Sequence, residues 1–91
     1  MNPEHKKKTL TSFKKAQSHI AKIIDMIEKD TYCIDVMQQN LAVLGLLRSA
    51  HQMLMENHLN TCFTEAVHSH NHKKKQDMAQ EILKVTSLYN K

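Results

Sequence analysis

From Ile34 to Ala66 the chain sustains one helical face without a proline. Ile34, Met37, Leu41, Leu44, Leu47, His51, Leu54 and His58 continue the stripe, and Leu59, Cys62 and Ala66 extend it. Residues three and four apart lie side by side on an α-helix, so this spacing predicts a helix from about 32 to about 67. Gly45 interrupts it only weakly and reads as a position that allows close helix packing. At roughly three dozen residues the helix is far longer than the globular average of about 11–12. In a chain of 91 residues such a helix protrudes from any core that the chain can build alone. It therefore needs a partner chain to cover it.

The rest of the sequence is helical as well. Asn2-Pro3 reads as an N-cap with proline at the first helical position. Leu10, Phe13, Gln17, Ile20, Ile24 and Ile27 then recur at helical spacing, widened by Ala16 and Ile23, which predicts helix 1 over about 3–29. Asp30-Thr31 marks a break and a new N-cap. The polar run His68-Ser69-His70-Asn71-His72-Lys73-Lys74-Lys75 reads as a loop. Met78, Ile82, Val85 and Tyr89 mark a shorter third helix over about 74–90. One glycine, one proline and few aromatic residues agree with an all-α, single-domain protomer spanning 1–91. No apolar run approaches 18 residues, so no membrane span is expected. No apolar segment follows the basic N-terminus, so no signal peptide is expected either. A cytoplasmic location follows by default.

The net charge is +4, carried by lysines except for Arg48. A lysine-rich surface suits a phosphate backbone or another anionic partner, and equally suits plain solubility. No glycine-rich phosphate loop, paired-carboxylate cleft or Ser-His-Asp order is present, which argues against an enzyme.

The chemistry of the chain is concentrated in Cys33, His58 and Cys62. Two cysteines in a small cytosolic chain point to metal binding or redox chemistry more than to a disulfide. His58 and Cys62, four apart, share one helix face. If helix 2 is continuous, Cys33 lies 25 residues before His58, or roughly 37 Å at 1.5 Å per residue, beyond the reach of any side chain. Two such helices set antiparallel about a two-fold axis would bring Cys33 of one chain to His58 and Cys62 of the other, twice over. Two thiolates and one imidazole form a soft, low-coordinate set that suits Cu(I). Cys33 sits in a helix's first turn, where free N–H groups and the positive dipole end favour the thiolate that binds metal. His58 needs a partner for its other ring nitrogen. The simpler alternative is that both cysteines are small apolar packing residues.

Tyr32-Cys33-Ile34-Asp35-Val36 followed by His58-Leu59-x-x-Cys62 resembles the copper-sensing transcriptional repressor family, the CsoR-like proteins. Met26-Ile27-Glu28-x-Asp30 and Ala42-Val43 are also similar, and the likeness covers about residues 8 to 67. The resemblance implies an antiparallel dimer with a four-helix core and a tetramer built from two dimers. It implies trigonal Cu(I) held by Cys33 of one chain with His58 and Cys62 of the other. It further implies a supporting tyrosine and glutamate, matched by Tyr32 and by Glu81. Relatives of this fold sense nickel, cobalt, formaldehyde or persulfide; the two-cysteine, one-histidine set looks most like the copper branch.

The departures fall in helix 1. Where the family carries a pattern like Arg-Leu-x-Arg-Ile-x-Gly-Gln, thought to contribute to operator binding, this chain reads Ser12-Phe13-Lys14-Lys15-Ala16-Gln17-Ser18-His19. Lys14, Lys15 and Arg48 remain as candidate DNA contacts, but lysine lacks the bidentate fork of arginine. Two functions stay open beside a purely structural helical oligomer: a Cu(I)-responsive repressor, and a copper-binding or buffering protein with weakened or lost specific DNA binding. His68, His70 and His72 could hold a second metal or form a solvated loop, and His5 could serve as an N-terminal nickel ligand. His19 reads as either a solvent group or a new partner contact.

Overall fold

The computed structural model of the chain describes residues 1–90, all of them helix, cap or turn. The elements are α1 (Pro3–Glu28), α2 (Cys33–His58), a π-helical segment (Leu59–Phe63), α3 (Thr64–His68) and α4 (His72–Tyr89). They divide into two compact units, Met1–Glu56 and a second that begins at Asn57.

In the first unit, α1 starts where the sequence predicts. Asn2 is extended, its Oδ1 accepts the amide of His5 at 2.8 Å, and proline follows in the first turn. The helix ends in a Schellman turn. The amide of Thr31 donates to Met26 O at 2.9 Å and that of Asp30 to Ile27 O at 3.1 Å, with Asp30 left-handed at φ 57°. Aspartate tolerates this conformation better than most residues, although glycine would adopt it without cost. The turn reverses the chain, and α2 returns antiparallel to α1. Ser12 Oγ donates to Met53 Sδ at 3.6 Å and His19 Nε2–H donates to Gln39 Oε1 at 2.7 Å, so later residues of α1 meet earlier ones of α2.

The buried core of this unit is made of small residues, Ala16, Val43 and Ala50 beside Thr9. Most of the large apolar residues of the predicted stripes remain open, while Ile23, Leu47 and Leu54 are half-buried. Phe13, Ile20, Ile24 and Ile27 of α1 and Ile34, Met37, Leu41 and Leu44 of α2 are all exposed, Ile27 to 58% and Leu41 to 65%. Gly45 is no point of close approach within the chain, since a Cβ there would meet nothing within 4 Å.

In the second unit the helical backbone widens. The sequence predicts one α-helix to about 67, but Leu59–Phe63 is π-helical before α3 resumes. His58, Phe63 and Thr64 keep right-handed helical dihedrals, so the chain stays helical through the change. Two threonines bond back to main-chain carbonyls here. Thr61 Oγ1 donates to Asn57 O and Thr64 Oγ1 to Leu59 O, each at 2.7 Å. Such back-bonding competes with the regular ladder and deforms helices. Ala66 of α3 is fully buried, and α3 packs against α4.

The predicted loop over 68–75 is a correction. His68 closes α3, only Ser69–Asn71 link the helices, and His72 and Lys73–Lys75 belong to α4. Asn71 caps the helix, its Oδ1 accepting the amide of Lys74 at 3.2 Å, and so starts it ahead of the lysines.

Among the described residues no helix is long and apolar enough to cross a membrane.

Candidate metal centre

His58 and Cys62 lie together in the second unit. His58 is the last residue of α2, and Cys62 lies within the π-helical segment; both are half-buried. Four residues are slightly more than one turn of an α-helix and slightly less than one turn of the wider π coil, so both geometries keep the pair on one side. π-Helical turns recur where side chains must be aimed at a functional site. Thr61 Oγ1 lies 3.6 Å from Cys62 Sγ. Its single hydrogen is held more tightly by Asn57 O at 2.7 Å, which leaves the sulfur open as a ligand. Asn57 is itself buried, with its Oδ1 unpartnered.

Cys33 is the first residue of α2, in the first unit, and is exposed. It therefore opens the same 26-residue helix that His58 closes. Both cysteines are free thiols. Among the described residues no group of three or more His, Cys, Asp or Glu side chains is gathered closely enough within one chain to hold a metal ion. His58 and Cys62 thus stand four residues apart on one helical run, and Cys33 does not join them in a three-ligand group within the chain. The same holds for His68, His70 and His72, which fall at the end of α3, in the link and at the start of α4.

Tyr32 immediately precedes α2 and is 67% exposed. Glu81 is exposed on α4, beside a shallow groove that Asn71, Lys74 and Asp77 also line. Lys14 and Lys15 are exposed on α1, and Arg48 on α2. Neither Gln39, the partner of His19, nor the buried Asn57 one residue before His58 is legible in the sequence pattern. A residue twenty places away leaves no local signal, and asparagine on a helix reads as polar surface.

The sequence pattern of the metal-sensitive transcriptional repressor family matches residues 5–87. The chain belongs to this family. Its members are repressors and not enzymes, in agreement with the reading above. The chain is 44% identical over 64 residues to the copper-sensing transcriptional repressor CsoR of Mycobacterium ulcerans, covering 70% of this chain and 55% of that protein. It is 42% identical over 62 residues to CsoR of Mycobacterium tuberculosis H37Rv, covering 68% of this chain and 52% of that protein. The chain thus spans about half the length of the curated relatives it matches. The fold is shared with the crystal structure of the copper-sensing repressor CsoR with Cu(I) from Geobacillus thermodenitrificans. The TM-score is 0.88 at 23% identity, over 100% of this chain and 92% of that one. The family resemblance stated from the sequence and the all-helical fold are both borne out.

Proposed function

We propose that the protein is a Cu(I)-responsive, DNA-binding transcriptional repressor whose metal site is shared between two protomers. The observation that supports this reading is the presence of Cys33, His58 and Cys62 in a member of a metal-sensitive repressor family. Cys33 of one protomer would supply one thiolate, and His58 with Cys62 of its neighbour the imidazole and the second thiolate. The donor set fits: two free cysteines supply soft thiolates, one histidine supplies an imidazole that copper also accepts, and no carboxylate is among them. Bound Cu(I) would act as a bridge between protomers and carry no redox step. Tyr32 and Glu81 would support the ligands by hydrogen bonding.

The assembly proposed is an antiparallel dimer with a four-helix core, paired again into a tetramer in the cytoplasm. The exposed faces of α1 and α2 support it. Eight large apolar side chains left open are more than a single chain carries without purpose, and fully burying one is worth about 1.5–3 kcal/mol. Lys14, Lys15 and Arg48 would meet operator DNA. Copper can release the operator only if it binds the released conformation more tightly, and a hundredfold loss of DNA affinity needs a coupling of about 2.7 kcal/mol.

A second reading, a copper buffer without specific DNA binding, is favoured by Ser12. It replaces a family arginine, and its hydroxyl is turned to Met53 within the chain, where it can neutralise no phosphate. Anisotropy titrations against the protein's own promoter, at two salt concentrations, separate the two. The repressor reading expects tight apo binding that survives higher salt and weakens about a hundredfold with Cu(I). Weak binding in both forms that disappears with salt would leave the buffer.

A further inference from the structure

We infer that Met37 supplies a third sulfur to the metal held at Cys33, a thioether that favours Cu(I) over harder ions. The inference rests on the copper-binding reading of Cys33, His58 and Cys62, and it names a residue that sets the selectivity of that site.

α2 is regular α-helix from Cys33 onward, so the residues one turn above Cys33 are Val36 and Met37. Their surroundings differ. Val36 is half-buried, whereas Met37 is 56% exposed. Cys33, Met37 and Leu41 follow one another at spacings of four, and all three are exposed on the open side of the helix. Cβ atoms four residues apart on a helix lie about 5–6 Å from each other. Long side chains on a helix lean toward its N-terminus, over the residue one turn back. That lean directs Met37 toward Cys33, and three rotatable bonds give its sulfur the reach to meet an ion held by the Cys33 thiolate. The proximity belongs to a single helix, so it persists whichever chain supplies the remaining ligands.

The donor chemistry decides what such a neighbour does. A thioether is soft and uncharged, and like a thiolate it suits Cu(I). Two thiolates and one Cu(I) already sum to a single negative charge. A carboxylate or a third thiolate would add another; the thioether adds a donor and no charge. Zinc takes cysteine, histidine and carboxylate ligands. Met37 therefore strengthens the site for Cu(I) and leaves it unchanged for Zn(II). Ile34, Leu41 and Leu44, exposed on the same helix, offer apolar area to a partner but no donor atom.

The test uses the full chain and Met37→Leu, a nearly volume-conserving swap that packing tolerates well. Competition titrations give the affinities for Cu(I) and for Zn(II). Met37→Leu should bind Cu(I) about tenfold more weakly, at the low end of the loss seen for residues that support metal ligands, and Zn(II) within about twofold of wild type. The second readout is NMR of protein labelled at its methionine methyl groups, with Ag(I) as a soft monovalent probe that is stable in air. The Met37 signal, assigned by its absence from Met37→Leu, should move on addition of one equivalent of Ag(I) and stay in place in Cys33→Ala. Equal losses for Cu(I) and Zn(II) would make Met37 a packing residue and overturn the inference. An unchanged Cu(I) affinity, or a Met37 methyl that Ag(I) leaves unmoved, would overturn it as well. Failure of the copper site itself would show differently, as wild-type Cu(I) affinity in Cys33→Ala.

Discussion

Cys33→Ala protein is expected to lose at least about a hundredfold in Cu(I) affinity, since loss of even a supporting residue outside the metal's own ligands costs 10–100-fold. The fold should survive the change. Cys33 is exposed at the start of α2 and contributes to no buried core, and exposed substitutions usually stay within about 0.5 kcal/mol. Competition titration with a chromophoric Cu(I) chelator, alongside circular dichroism, checks both halves. A variant that binds Cu(I) as wild type does would mean that His58 and Cys62 suffice and that no second chain is required. His58→Ala and Cys62→Ala should match Cys33→Ala, although the residues belong to different units of the chain.

The second large effect concerns the apolar faces. Leu41→Glu should convert the protein to monomer and lower its melting temperature by more than about 10 °C. An uncompensated charge buried at an interface costs several kcal/mol, and each kcal/mol is worth about 4–8 °C in a domain of this size. The prediction discriminates because Leu41 is 65% exposed within one chain. Were it solvent-exposed in the working protein as well, the substitution would change stability by no more than about 0.5 kcal/mol. Sedimentation velocity and a thermal melt decide it, and a Leu41→Glu oligomer with an unchanged melt would remove α2 from the interface.

Much of this molecule is written in local chemistry. Asn2-Pro3 caps and starts α1, and the turn at Asp30 separates two stripes whose periodicity is already helical. The apolar faces that the periodicity defines are the ones a single chain leaves uncovered, so the same pattern carries both the fold and the need for a partner. Other features depend on competition between groups and escape a reading by pattern. Lys73–Lys75 look like loop because they are charged, yet one asparagine cap at Asn71 places them in a helix. At the π-helical turn Thr61 and Thr64 bond to carbonyls four and five residues back. Threonine on a helix announces no such choice. Within the site, His58 and Cys62 are legible as a pair because four residues make about one turn. Cys33 is tied to them only through the argument that a continuous helix holds it away, which requires a second chain. The His19–Gln39 bond joins residues of two helices and has no trace in the spacing of either.

If one Cu(I) site is built from two chains, mixing subunits that each carry half of it restores it. Cys33→Ala protein and His58→Ala/Cys62→Ala protein each lack a complete site. After subunit exchange, confirmed by mass spectrometry of differently tagged chains, their heterodimer has one complete site and one empty of ligands. Tight Cu(I) binding is expected to return at one equivalent per heterodimer. Confirmed exchange with no return of tight binding would contradict it, and the ligands would then have to be sought within a single chain.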